Sequence, residues 1–147
     1  MGSIPDYLQQ LKEKFGHCAD WGSNLAAVLA MERELPPMDP AQKTERTRFH
    51  GCQSQIWLIL SLNSETGTVE IAADSDARIV RGLLAIAYGY YNARTPKDIA
   101  ANPPSRLREA GLLDALAPSR ANGFYRLLVH IHNYGVKLAR SIEEQVA

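Results

Sequence analysis

Cysteine is scarce in this 147-residue chain: Cys18 and Cys52 are the only two. Two thiols cannot build a disulfide framework, so nothing here calls for an oxidising compartment. There is no surplus of charge either, since 16 Lys and Arg balance 16 Asp and Glu. Without a basic excess the electrostatic footprint of nucleic-acid binding is missing, and that class is set aside. No apolar run approaches the roughly 20 residues of a membrane span. Met1–Asp6 lacks the basic-then-apolar order of a secretory leader. Glycine-rich phosphate loops, a pyridoxal-binding lysine motif, internal repeats and low-complexity tracts are also missing. The expectation is a cytoplasmic protein with reduced thiols and neither a membrane nor a nucleic-acid partner.

What is present is ordinary globular sequence, 46% apolar and 22% charged. A chain of this length suits one domain, residues 1–147, that buries roughly two-thirds of its unfolded surface. Ile4, Tyr7, Leu8, Leu11 and Phe15 fall at helical spacing, with Ser3 as cap and Gly16 as stop. Trp21, Leu25, Val28 and Leu29 mark a second helix, capped by Asp20 and ended before Pro36-Pro37. Ala41–Phe49 is polar and reads as a solvated connection or a weak helix.

The period then changes to two. Ile56, Leu58, Leu60 and Leu62 share one strand face, and Val69, Ile71 and Ala73 share one face of a second strand. Asn63–Gly67 joins them as a five-residue hairpin loop. Asp74-Ser75-Asp76 is expected to cap a third helix, whose apolar face (Ile79, Val80, Leu83, Leu84, Ile86, Ala87) is broad enough for the centre of the core. Thr95-Pro96-Lys97-Asp98 starts a short helix, Ser105–Ala110 forms another before Gly111, and Pro118-Ser119 opens a long last one from about Arg120 toward Gln145. Helices, a hairpin, then helices make an α+β layout: an antiparallel hairpin-based sheet covered by helices.

Chemistry centres on Gly51-Cys52-Gln53-Ser54-Gln55-Ile56-Trp57. Polar neighbours and a glycine beside the sulfur suit a presented thiol better than a buried one. This stretch resembles the cysteine loop of the SufE/CsdE family. Three further stretches are similar to that family in the same order: Pro36-Pro37, Asp74 through Leu84, and Pro118-Ser119-Arg120-Ala121-Asn122-Gly123. The likeness runs from about Ile4 into the final helix. The GCQSQ sequence is similar to the SufE branch and Arg78–Leu84 to the CsdE branch, so the branch stays open.

The resemblance implies a SufE/IscU-like fold and a sulfur acceptor with no cofactor of its own. The implied partner is a cysteine desulfurase of the SufS/CsdA type, which carries the pyridoxal phosphate. A downstream sulfur acceptor or iron–sulfur scaffold is the implied recipient, and the carrier is expected as a monomer or weak homodimer. Cys52 would accept the persulfide sulfur, with Gly51 and Gln53 shaping its loop. The family likeness also brings Arg120, Asp74 and Ser75 toward that loop. Arg120 stands out by itself, because a cation at a helix start opposes the helix dipole. His50, two residues before the thiol, is a weaker candidate that fits a solvent-exposed side chain.

Two other classes stay open on residue type alone. A stand-alone hydrolase or transferase would use Cys52 as nucleophile and His50 as base, but needs an orienting group and an oxyanion site. A metal scaffold would need more thiols than two, and a zinc set of His17, Cys18, His50 and Cys52 has adjacent ligands and poor spacing. His130 and His132 face opposite sides of the last helix and do not converge.

Overall fold

Period-two alternation in the middle of the chain builds the sheet, and the amphipathic segments on either side of it supply the cover. The computed structural model describes residues 2–15, 21–51, 54–109, 111, 113 and 116–146. Helix α1 (Ile4–Phe15) begins with a reciprocal cap, in which Ser3 Oγ accepts the Asp6 amide and Asp6 Oδ2 accepts the Ser3 amide, both at 3.2 Å. Helix α2 (Trp21–Ala30) runs into a 3-10 turn, Met31–Glu34. The expected stop at Gly16 and cap at Asp20 lie outside the described residues.

The polar stretch before the cysteine departs from expectation. It folds as two 3-10 turns, Pro40–Gln42 and Glu45–Thr47, followed by a strand β1 (Arg48–Phe49). β1 pairs antiparallel with β2 (Ile56–Asn63), and β2 pairs with β3 (Thr68–Ser75). The sheet therefore has three strands in the order β1-β2-β3, one more than the hairpin. Two residues among charged neighbours carry no readable period, which is why β1 is invisible in sequence. The hairpin loop is one residue shorter than expected, because Asn63 belongs to β2, and Gly67 takes the positive φ of +71° that closes it. β3 runs two residues further than its apolar pattern, through Asp74 and Ser75.

Helix α3 (Arg78–Tyr91) lies at the centre, with Leu83, Leu84, Ala85, Ile86 and Ala87 all buried. It is followed by α4 (Pro96–Ala101), α5 (Ser105–Glu109) and the 29-residue α6 (Pro118–Val146). Thr95 caps α4 as its sequence demands, accepting the Asp98 amide at 3.1 Å. One apolar cluster joins α1, the core face of the sheet, α3 and the buried side of α6. Two tyrosines complete it: Tyr91 donates to the Asn102 carbonyl at 2.8 Å and Tyr90 to that of Pro103 at 3.0 Å. Burial pushes the Tyr90 phenol up to about 12.

The free edge of β3 is closed by the turn after α3. Val69 exchanges backbone hydrogen bonds with residues 93 and 94, and the Ile71 amide donates to Asn92 Oδ1 at 2.8 Å. Replacing Asn92 with Ala leaves that buried amide without an acceptor. The expected cost is about 1–3 kcal/mol, read from chemical denaturation. A loss below about 0.5 kcal/mol would mean that the side chain is not what seals this edge.

Candidate functional site

Cys52 and Gln53 lie outside the described residues, as do His17 and Cys18. The residues on both sides of the thiol are described, and each side is pinned to a different part of the fold. On the near side Gly51 leans on the Phe49 ring: a Cβ there would sit 2.6 Å from two ring carbons and 3.6 Å from Cβ of Arg126 on α6. No larger residue fits without moving that ring. Phe49 in turn packs against His130 of α6, with ring centroids 5.6 Å apart and planes tilted by 54°. The two-residue strand β1 thus sets a platform on which the chain turns toward the cysteine.

The far side is held by the residues expected to cap α3. Asp76 Oδ1 accepts the Gln55 amide at 3.2 Å, and the Ser75 hydroxyl donates to the Gln55 carbonyl at 2.6 Å. Ser75 Oγ also accepts the Ala77 amide at 3.2 Å. The N-cap of α3 is Ala77, which makes no side-chain cap, so the capping expectation for Asp74-Ser75-Asp76 is corrected. These polar side chains serve the base of the hairpin because β3 carries Asp74 and Ser75 within the ladder, opposite Trp57 and Ile56. A salt-bridged brace lies beneath: Arg81 Nη1 donates to the Ser75 carbonyl at 3.1 Å, and its other arm reaches Glu32 at 3.0 Å. Arg78 joins the same carboxylate at 3.3 Å.

Beside these anchors is a small apolar depression lined by Ile56, Val80, Leu83, Leu84, Phe124 and Leu127, together with Arg120. It has room for roughly one water-sized group. Arg120 sits in the first turn of α6, half-buried, where the dipole opposes its charge. The helix begins at Pro118, two residues earlier than a cap at Ser119 would require. Among the described residues Arg120 has no ion-pair partner. Such a cation, set among apolar side chains, favours a negative charge brought next to it.

The other candidates separate. Ser75 is 2% exposed and braces the loop. Asp74 is its neighbour in β3 and turns to the opposite sheet face, where it pairs with Lys43 at 2.5 Å. Lys43 also lies over the Trp57 ring, 5.6 Å from its centroid, so Trp57 packs on that outer face under the chain before β1. His50 is exposed, and among the described residues its side chain has no hydrogen-bond partner that would orient it as a base. His130 rests on Phe49, while His132 approaches the Ala100 carbonyl at 3.3 Å on the other side of α6. Among the described residues no three His, Cys, Asp or Glu side chains gather as a metal site, and no helix is long and apolar enough to cross a membrane.

The roles of Phe49, Arg81 and Glu32 are not visible in the sequence. Glu32 and Arg81 are 49 positions apart, so no local pattern links them. Phe49 had one available signal, an aromatic residue two places before a glycine at a predicted turn.

The fold resembles the solution structure of a hypothetical protein from Thermus thermophilus. The TM-score is 0.70 at 21% identity, over 89% of this chain and 94% of that one. The model of the SufE family, an Fe-S metabolism associated domain, matches residues 9–135. That span takes in the Pro36-Pro37 segment, the loop with its two anchors, the start of α3 and the Arg120 turn, and the chain belongs to the SufE family.

Proposed function

We propose that the chain is a sulfur acceptor and carrier for a cysteine desulfurase, with Cys52 as the residue that takes the sulfur. The supporting observation is a cysteine motif tethered at both ends, through Gly51 and Gln55, beside an apolar depression that holds one half-buried cation. A persulfide in transit needs shelter from small thiols, and its formation needs a thiolate. The depression suits the first need, and the Arg120 guanidinium suits the second.

The step is an exchange at sulfur. The Cys52 thiolate attacks the outer sulfur of the donor's cysteine persulfide, and a new S–S bond forms as the donor's S–S bond breaks. The donor cysteine leaves as a thiolate, and the terminal sulfur keeps its proton. No electron enters or leaves the pair. The pyridoxal chemistry that first frees sulfur from cysteine belongs to the desulfurase. The sulfur then passes to an iron–sulfur scaffold or another sulfur-requiring acceptor.

Mixed with its cognate desulfurase and free cysteine, the protein is expected to gain one sulfur on the peptide that contains Cys52, read by mass spectrometry without reductant. Alanine production should rise and saturate with carrier concentration, because docking precedes transfer. The carrier alone should release neither alanine nor sulfide. Turnover of cysteine by the pure protein, or a sulfur gain on the Cys18 peptide alone, overturns the reading.

A further inference from the structure

The chain carries no net charge, yet its last helix carries charge of one sign until Glu143 and Glu144 in its final turn. From Pro118 to Ile142 α6 contains Arg120, Arg126, Lys137 and Arg140 and no acidic residue. Asn122, Arg126, His130, Asn133, Lys137 and Arg140 recur at intervals of three and four, so they form one stripe, and all six are exposed. Among the described residues none of Arg126, Lys137 and Arg140 has an ion-pair partner. Solvated helix faces usually intersperse the two signs and gain from pairs at i and i+4. Here like charges are aligned at a small cost, in a protein with equal numbers of acids to offset them.

The stripe also has a direction. Its first part lies against the cysteine loop: Cβ of Arg126 is 3.6 Å from where a Cβ of Gly51 would stand, and His130 packs on Phe49. From Arg126 to Arg140 it extends about 21 Å along the helix. A standard protein interface of about 800 Å² per partner is about 30 Å across, enough to cover the loop and the stripe together.

We infer that the exposed stripe Arg126–His130–Lys137–Arg140 of α6 is a docking track for an acidic protein surface next to the donor's active site. This rests on the carrier reading above and adds the chemistry of the partner's surface. The sulfur donor must place a cysteine against Gly51–Ser54, so its nearest surface meets the start of the stripe. Exposed cations running from Gly51 along one helix face steer encounter and fix orientation more than they deepen affinity. An acidic protein is favoured over RNA. Sixteen carboxylates elsewhere on the chain repel a polyanion, and the stripe offers few phosphate contacts.

The test uses Lys137→Gln with Arg140→Gln, both more than two helical turns beyond Arg126 and clear of the loop. A matched control removes two exposed cations elsewhere, Lys12→Gln with Lys97→Gln. In about 50 mM salt the stripe variant should need about ten times more protein for half-maximal desulfurase stimulation, with the control within twofold of wild type. The gap should close in about 0.5 M salt, where the Debye length is only a few ångströms. Half-saturation unchanged in the stripe variant overturns the track while the carrier reading stands. An equal rise in the control overturns it too, since net charge alone would then be at work. Loss of total tRNA binding in the stripe variant, with desulfurase half-saturation unchanged, would replace the protein partner with RNA. Wild-type protein that never stimulates the desulfurase or gains sulfur overturns the carrier reading and the track together.

Discussion

Cys52→Ser is expected to abolish both the sulfur gain and the stimulation of the desulfurase, with the melting temperature unchanged. A serine hydroxyl is not ionised near neutrality and forms no persulfide, so the loss is complete rather than graded. Stability should be spared because described groups hold the chain on both sides of the cysteine. Gly51 rests on Phe49, and Gln55 is bonded to Asp76 and Ser75. Cys18→Ser should transfer sulfur like the wild type. The pair of variants makes the test sharp: loss in the Cys18 variant with retention in the Cys52 variant reverses the assignment. Loss of both transfer and stability in Cys52→Ser would make the thiol a packing group.

The parts of this site that were legible in the sequence share one property, that their partners are close along the chain. The cap of α4, the apolar alternation of β2 and β3 and the breadth of α3 all follow from spacing within ten residues. The three-residue run Asp74-Ser75-Asp76 reads as a helix cap in the sequence and braces the cysteine segment in the fold. An acid and a serine before a helix are a cap signal. Here the strand extends through Ser75, and a carbonyl and amide 20 and 21 positions upstream claim those oxygens first. β1 is hidden for a similar reason. Arg48 and Phe49 become a strand only because Trp57 and Ile56 lie opposite. The Glu32 brace, the Phe49–His130 contact and the Lys43–Asp74 pair are likewise products of the folded chain. Family resemblance identified the cysteine and Arg120 before any geometry. It could not say that β1 and α6 hold one side of the loop while β3 holds the other.

Gly82→Ala is expected to be the most destabilising single methyl addition among the described glycines. An added Cβ would stand 2.1 Å from the Val28 carbonyl oxygen and 2.9 Å from its carbon. Those are backbone atoms of α2, at a valine that is fully buried, so no rotamer change makes room. At Gly89 the nearest atoms are the far end of the Tyr7 side chain, which has torsions to turn, and at Gly135 they belong to the Ile99 side chain rather than to backbone. The exchange gains up to about 1 kcal/mol in helix propensity, because glycine in mid-helix is unfavourable. Prising α2 and α3 apart costs more, and a net loss of about 3 kcal/mol is expected. For a domain of this size that is a fall of about 10 °C in melting temperature. Gly67→Ala meets nothing within 4 Å but holds a φ of +71°, and should lose only about 1–2 kcal/mol. The site should register the first change and not the second. Val80, Leu83 and Leu84 line the depression from the same helix, and Arg81 reaches Glu32 just beyond α2. Alkylation of Cys52 should therefore change in Gly82→Ala and stay at the wild-type rate in Gly67→Ala. If Gly82→Ala is as stable as wild type, α2 and α3 do not approach each other at this point, and the brace built on their contact loses its basis.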